Sequence, residues 1–188
     1  MRKEQKANYP ESARGAAALL VRMVLEDGAY TNIALNQYLR GSRLSDLDRR
    51  LATELVYGTV KASGTLDWYL AQCVSRPLDK VAGDILAILR ISTYQLLYMT
   101  RIPASAAVNE AVKLARSVSH EGSAKFVNGV LRGLLRKQEA GAFVLPDAEK
   151  QDADYLSLKY YHPRWLVKRW LGPWGRGGTE RLLAVDNT

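Results

Sequence analysis

The sequence predicts an all-α protein, a helical bundle followed by a short C-terminal helical linker extension. Three observations carry this. Nearly every segment of the 188 residues repeats its apolar side chains with a helical period, and none shows a convincing strand alternation of apolar and polar residues. Residues 81–98 are apolar almost all round (Val81, Ile85, Leu86, Ile88, Leu89, Ile91, Leu96, Leu97), which suits a helix at the centre of a bundle. Residues 108–137 hold two helical patterns in tandem. The second sets Phe126, Val127, Val130, Leu131, Leu134 and Leu135 against a polar face of Lys125, Asn128, Arg132 and Arg136, so a core stripe and a basic stripe lie back to back.

Taken in order, residues 13–26 read as the first helix, with Ser12 as N-cap and Gly28 as its stop. A short helix over 32–40 ends at Gly41. Ser45-Asp46-Leu47-Asp48 has the capping-box pattern, a hydroxyl for the free amides and a carboxylate three residues on. The helix it opens has Leu47, Leu51, Leu55, Val56 and Val60 as its apolar face. Residues 65–74 form the next, closed by Pro77. In the apolar helix over 81–98, Arg90 needs a partner if buried, and Glu110 or Glu54 is expected to supply it. Ile102-Pro103 precedes a helix over 104–118, and a His-Glu-Gly-Ser break leads into the helix that contains Phe126. Residues 141–154, with Pro146 and the acidic Asp147, Glu149, Asp152 and Asp154, read as a linker or domain edge. Short helices follow over 155–160, over 163–171 with Pro163 at the first helical position, and over 179–186. Gly172, Gly175, Gly177 and Gly178 separate the last two. The expected organisation is a helical domain over 1–140 and a helical linker over 141–188.

The chain is 47% hydrophobic and carries a net charge of +8, which makes it globular and favours an anionic partner, nucleic acid above all. A single cysteine, Cys73, excludes a disulfide framework or a structural zinc site and reads as a small core residue. His120 and His162 are too isolated to suggest a metal centre. The basic N-terminus has no apolar region after it, no run of about 18 apolar residues exists, and cysteine is scarce, so the expected location is cytoplasmic. No Walker-type phosphate loop, no glycine-rich dinucleotide fingerprint and no catalytic triad or paired-carboxylate arrangement stands out.

Positive residues gather in two places: Arg2, Lys3, Lys6 and Arg14 in the N-terminal arm and first helix, and Lys113, Arg116, Lys125, Arg132, Arg136 and Lys137 in the tandem helices. One reading is a phosphate-binding surface where the first helix meets the helix around Arg132, able to position a nucleic acid without reading its sequence. The other is ordinary solvated helix faces. Asn109 and Asn128, poor helix-interior residues, are expected to bond a neighbouring loop or helix end rather than RNA. Trp165, Trp170 and Trp174 interleave with Arg164, Lys168, Arg169 and Arg176, a mixture that stacks single-stranded RNA or docks on an adjoining domain; the helical spacing favours docking.

These residues resemble the NusB fold family. The matching parts are Asp48-Arg49-Arg50 through Val60, Ile88-Leu89-Arg90-Ile91, Ile102-Pro103, Val108-Asn109-Glu110-Ala111-Val112 and Phe126-Val127-Asn128-Gly129-Val130-Leu131. The resemblance implies an all-helical RNA-binding domain. It occurs as a free transcription antitermination factor, which normally ends soon after the position of Lys137, and as the N-terminal domain of RsmB (Sun/Fmu)-type ribosomal RNA cytosine-C5 methyltransferases. The tail from Tyr161 to Trp170 resembles the segment that joins the NusB-like domain to the methyltransferase, so the second form is expected.

The implied partners are small-subunit (16S) ribosomal RNA and a C-terminal methyltransferase domain, and the implied cofactor of the parent enzyme is S-adenosylmethionine. The family's cofactor loop and catalytic cysteines are not found before Thr188, and Cys73 matches neither cysteine, so this chain alone is not expected to methylate RNA. The resemblance implies RNA contact by the N-terminal arm and first helix. Arg14 matches there, and Arg2, Lys3 and Lys6 share the region. Lys125, Arg132 and Arg136 are added from helix geometry. The alternatives are a stand-alone antitermination-type factor and a purely structural docking domain.

Overall fold

The computed structural model describes residues 7–148 and 151–186, and every regular element among them is helical. In chain order these are α1 (Ala13–Leu25), α2 (Thr31–Gly41), α3 (Asp46–Lys61), α4 (Ser63–Ala71), α5 (Gly83–Tyr98), α6 (Ala104–Val118), α7 (Glu121–Glu139), α8 (Asp152–Tyr160) and α9 (Arg164–Val185), with one 3-10 turn at Leu78–Lys80. No helix among them is long and apolar enough to cross a membrane.

Helix α5 occupies the centre and packs against α1, α3, α4, α6 and α7. Residues 85–93 and Gln95 are all buried, as its all-round apolar pattern requires. Ala16, Ala17 and Ala18 of α1 are fully buried, and these small side chains let α1 lie close to α3 and α5. Leu131 and Leu134 bring α7 into the same core, chiefly against α6. Cys73 is half-buried against this core, and burial pushes its thiol up, so it behaves as a packing residue. Helices α8 and α9 pair with each other around a small core of their own, Leu156, Val167 and Leu183.

The local start and stop signals work largely as expected. Ser12 Oγ accepts from Gly15 N at 3.1 Å, and Gly28 turns left-handed (φ 73°) so that Ala29 N closes back on Met23 O. Ser45 Oγ accepts from Asp48 N at 3.2 Å, while the Asp48 carboxylate bonds the Ser45 hydroxyl rather than a backbone amide.

Four expectations are corrected. Arg90 is buried (8% exposed), but its carboxylates are Asp67 and Glu26, with Nε and Nη2 on the two Asp67 oxygens at 2.8 and 2.9 Å and Nη1 on Glu26 at 3.3 Å. Glu54 instead pairs with Arg101, and Glu110 with Lys113. Leu47 is 75% exposed, because the buried side of α3 is made by Ala52, Leu55, Val56 and Thr59, and Leu47 in the first turn falls outside it. The break before α7 is shorter than four residues: His120 is the N-cap, its Nδ1 accepting from Ser123 N at 3.2 Å, and Glu121-Gly122-Ser123 already form the first turn. The pieces expected over 163–171 and 179–186 are joined in α9, which keeps Pro173 inside and leaves helical geometry at Gly175 (φ 60°, ψ 179°). Proline's missing N–H and a left-handed glycine together account for the kink.

Two stability predictions follow from this packing. Asp67→Ala leaves the Arg90 guanidinium with Glu26 alone and should lower the unfolding free energy by about 3 kcal/mol, the low end for a broken buried pair because Asp67 is itself partly exposed. Arg90→Met should cost less, since both freed carboxylates reach water; urea unfolding of the two variants checks the order. At Gly15 an added Cβ would sit 2.1 Å from the Pro10 carbonyl oxygen. Gly15→Ala should therefore lift the incoming chain off α1 and cost about 1–3 kcal/mol, and an unchanged thermal midpoint would contradict that packing.

Candidate nucleic-acid interface

Helix α7 is built with two faces. Ala124, Val127, Val130, Leu131 and Leu134 turn inward, which leaves Lys125, Arg132 and Arg136 exposed on the opposite side. Among the described residues none of these three forms an ion pair. Arg132 is braced from its own helix, donating from Nε to Asn128 Oδ1 at 2.9 Å. Asn128 thus has a holding role, by orienting an arginine one turn away. Asn109 is exposed on α6 and makes no side-chain bond among the described residues, so the structural role expected for it is not found.

The other cations of the tandem helices are engaged. Lys113 pairs with Glu110 at 3.3 Å, and Arg116 with Glu121. The Arg116 hydrogen bond holds the Glu121 carboxyl below its usual range, with a smaller contribution from the Lys125 charge. Lys137 donates to Gln72 O at 2.8 Å and so ties the end of α4 to α7. The stripe with charge to spare is therefore Lys125, Arg132 and Arg136.

Arg14 projects from the first turn of α1 and is half-buried, its Nε held by Gln95 Oε1 at 2.8 Å. Gln95 is itself buried on α5 and anchored through Nε2 to Ile91 O at 3.0 Å. A neutral amide fixes the guanidinium without cancelling its charge, which keeps Arg14 available to an anion. Gln95 was not among the expected site residues; its signal is a long polar side chain on the mostly apolar central helix. Arg2, Lys3 and Lys6 lie outside the described residues.

The two basic regions do not meet by direct packing. Helix α1 packs mainly on α3 and α5, whereas α7 packs mainly on α6 and also on α5 and α4. Arg14 and Arg132 thus stand on helices that do not pack chiefly on each other, so an anion touching both would be an extended polyanion rather than a small ligand. The tryptophans divide. Trp170 packs in the α8–α9 core, while Trp165 and Trp174 are 65% and 61% exposed. Trp174 lies with Leu182 and Val185 along one open groove of α9.

The NusB family matches residues 11–136. The chain is 40% identical over 176 residues to the "Probable ribosomal RNA small subunit methyltransferase B" of Synechocystis sp., covering 94% of this chain and 39% of that protein. It is 35% identical over 174 residues to the protein of the same name in Bacillus subtilis, covering 93% and 38%. The chain thus spans about two fifths of the length of these curated relatives. Among solved structures, antitermination factors NusB and NusE in complex with dsRNA match with TM-score 0.61 and 21% identity, over 68% of this chain and 96% of that one. PH0851 matches with TM-score 0.69 and 19% identity, over 98% of this chain and 40% of that one. These two likenesses establish the fold alone. The chain belongs to the NusB family, and it matches the NusB-like N-terminal domain of the ribosomal RNA small subunit methyltransferase B proteins.

Proposed function

We propose that this chain is an RNA-binding domain that holds small-subunit ribosomal RNA for S-adenosylmethionine-dependent cytosine-C5 methylation by a catalytic domain outside residues 1–188. The observation that carries the reading is the exposed stripe Lys125, Arg132 and Arg136 of α7, which forms no ion pair among the described residues, whereas Lys113 and Arg116 of α6 and Lys137 of α7 are engaged. Arg14, set by Gln95, adds a fixed guanidinium on α1, and Arg2, Lys3 and Lys6 are assigned to RNA contact from the sequence alone. The relatives' names support ribosomal RNA as substrate of the whole protein, and the NusB complex supports RNA as the ligand of this fold. Residues 1–140 are the binding unit in this reading, and 141–188 connect it to the catalytic domain. The open apolar groove of Trp174, Leu182 and Val185 supports a docking role for α9 in the same assembly. The chain takes no part in the chemistry. Its contribution is to raise the local concentration of RNA at a tethered active site.

Salt dependence tests the site. Each cation that contacts a phosphate of single-stranded RNA should add about 0.7 to the slope of log affinity against log salt. Arg132→Ala and Arg136→Ala should each flatten the slope by about that amount, whereas Lys113→Ala, already paired with Glu110, should leave it nearly unchanged. The triple variant Arg14→Glu, Arg132→Glu, Arg136→Glu should abolish binding in a filter or anisotropy assay. A triple variant that binds as the parent does would rule out this surface.

A further inference from the structure

Between the bundle and the α8–α9 pair lies a cleft of about 220 Å³ lined by Gly58, Lys61, Tyr94, Tyr98 and Tyr161. A second hollow of about 350 Å³ shares Lys61 and Tyr161 with it and adds Arg164. Together they reach the range of small-ligand sites, roughly 300–1,000 Å³. The rings form a connected set: Tyr94 and Tyr98 centroids are 5.5 Å apart, and Tyr98 and Tyr161 meet edge to face at 4.9 Å.

Two backbone features are spent on placing these rings. A Cβ at position 58 would lie 2.1 Å from the tip of Tyr94, so the ring occupies space that only glycine leaves. Tyr161 caps α8 in the left-handed conformation (φ 59°), the single non-glycine residue there among those described. Glycine is the usual occupant of such a position, and a side chain costs about 1–2 kcal/mol. That conformation brings the Tyr161 ring against Tyr98.

The charges around the cleft are mixed but leave a cation at its mouth. Lys61 donates from Nζ to the backbone oxygen of Asp186 at 3.3 Å, while the Asp186 carboxylate bonds His162 Nε2 at 2.6 Å. Arg164 is paired with Asp154, and Glu54 beside Tyr94 with Arg101. Burial, and then the charge interaction and hydrogen bond with Tyr161, raise the Tyr98 phenol above its ordinary range, so it stays neutral.

We infer that this tyrosine-lined cleft takes an unpaired nucleobase of bound RNA, stacked against Tyr94 and Tyr161, with its phosphate beside Lys61. Aromatic faces next to a lysine whose charge no carboxylate cancels among the described residues are what single-stranded nucleic acid requires. The inference rests on the RNA-binding reading above. It adds a base-recognising element to the proposed phosphate contacts.

The test uses the full chain and two labelled nine-residue strands, oligouridine RNA and the abasic ribose-phosphate of equal length, followed by fluorescence anisotropy. The parent should prefer the base-bearing strand by about tenfold. Tyr161→Gly suits the left-handed backbone, so it should stay folded by circular dichroism, lose the preference and keep the parent's affinity for the abasic strand. Tyr161→Phe retains the ring and should retain the preference. Gly58→Ala, which drives the Tyr94 ring aside, should reproduce the loss and serves as the reading if Tyr161→Gly unfolds. Equal binding of both strands by the parent overturns the inference, as does a preference that survives both ring-displacing variants. A parent that binds neither strand at any salt overturns the RNA-binding reading itself.

Discussion

The buried charge at Arg90 is the constraint around which this molecule is arranged. A guanidinium in the middle of the central helix requires carboxylates within reach, and they come from α4 (Asp67) and from the end of α1 (Glu26). That requirement sets the register of both helices against α5. Desolvation works against the charge, and the hydrogen bonds that Arg90 donates to the Asp67 and Glu26 carboxylates, with their negative charge, more than offset it, so Arg90 remains ionised. A hydrophobic contact would tolerate sliding by a turn. A two-pronged pair at 2.8 and 2.9 Å tolerates very little.

From that fixed helix three separate features are displayed. Gln95 lies five residues beyond Arg90 and holds Arg14 of α1. Tyr94 and Tyr98, one turn apart, face the seam with the C-terminal helices. The other sides of α5 support α6 and α7, and through them the exposed stripe of Lys125, Arg132 and Arg136. Since Arg14 and the stripe stand on helices that do not pack closely together, binding by both demands a ligand that crosses the bundle. RNA meets that demand with a repeating charge.

Much of this was legible in the sequence, for identifiable reasons. The limits of α6 follow from the Ile102-Pro103 break before it and the break at His120 after it, and the burial of α5 follows from its apolar periodicity. The two faces of α7 were legible for the same reason. What could not be read is contact between residues far apart in the chain. The partners of Arg90 lie 23 and 64 residues away, and nothing local distinguishes Asp67 and Glu26 from Glu54 and Glu110 as candidates for the role. The bond from Arg14 to Gln95 spans 81 residues. Tyr161 reads as an ordinary helix-end residue until its left-handed backbone and its approach to Tyr98 are seen together. Leu47 shows the opposite failure: helical spacing assigned it to a buried face, and the end of α3 lies beyond the core.

The central claim, that RNA lies across α1 and α7, is tested most directly by locating the contact. A small-subunit ribosomal RNA fragment substituted with 4-thiouridine would be crosslinked to the full chain by near-ultraviolet light and the modified peptides mapped by mass spectrometry. The account predicts adducts in the peptides that carry Arg14 and residues 125–136. Adducts confined to the α9 groove around Trp174, with none on α1 or α7, would contradict it.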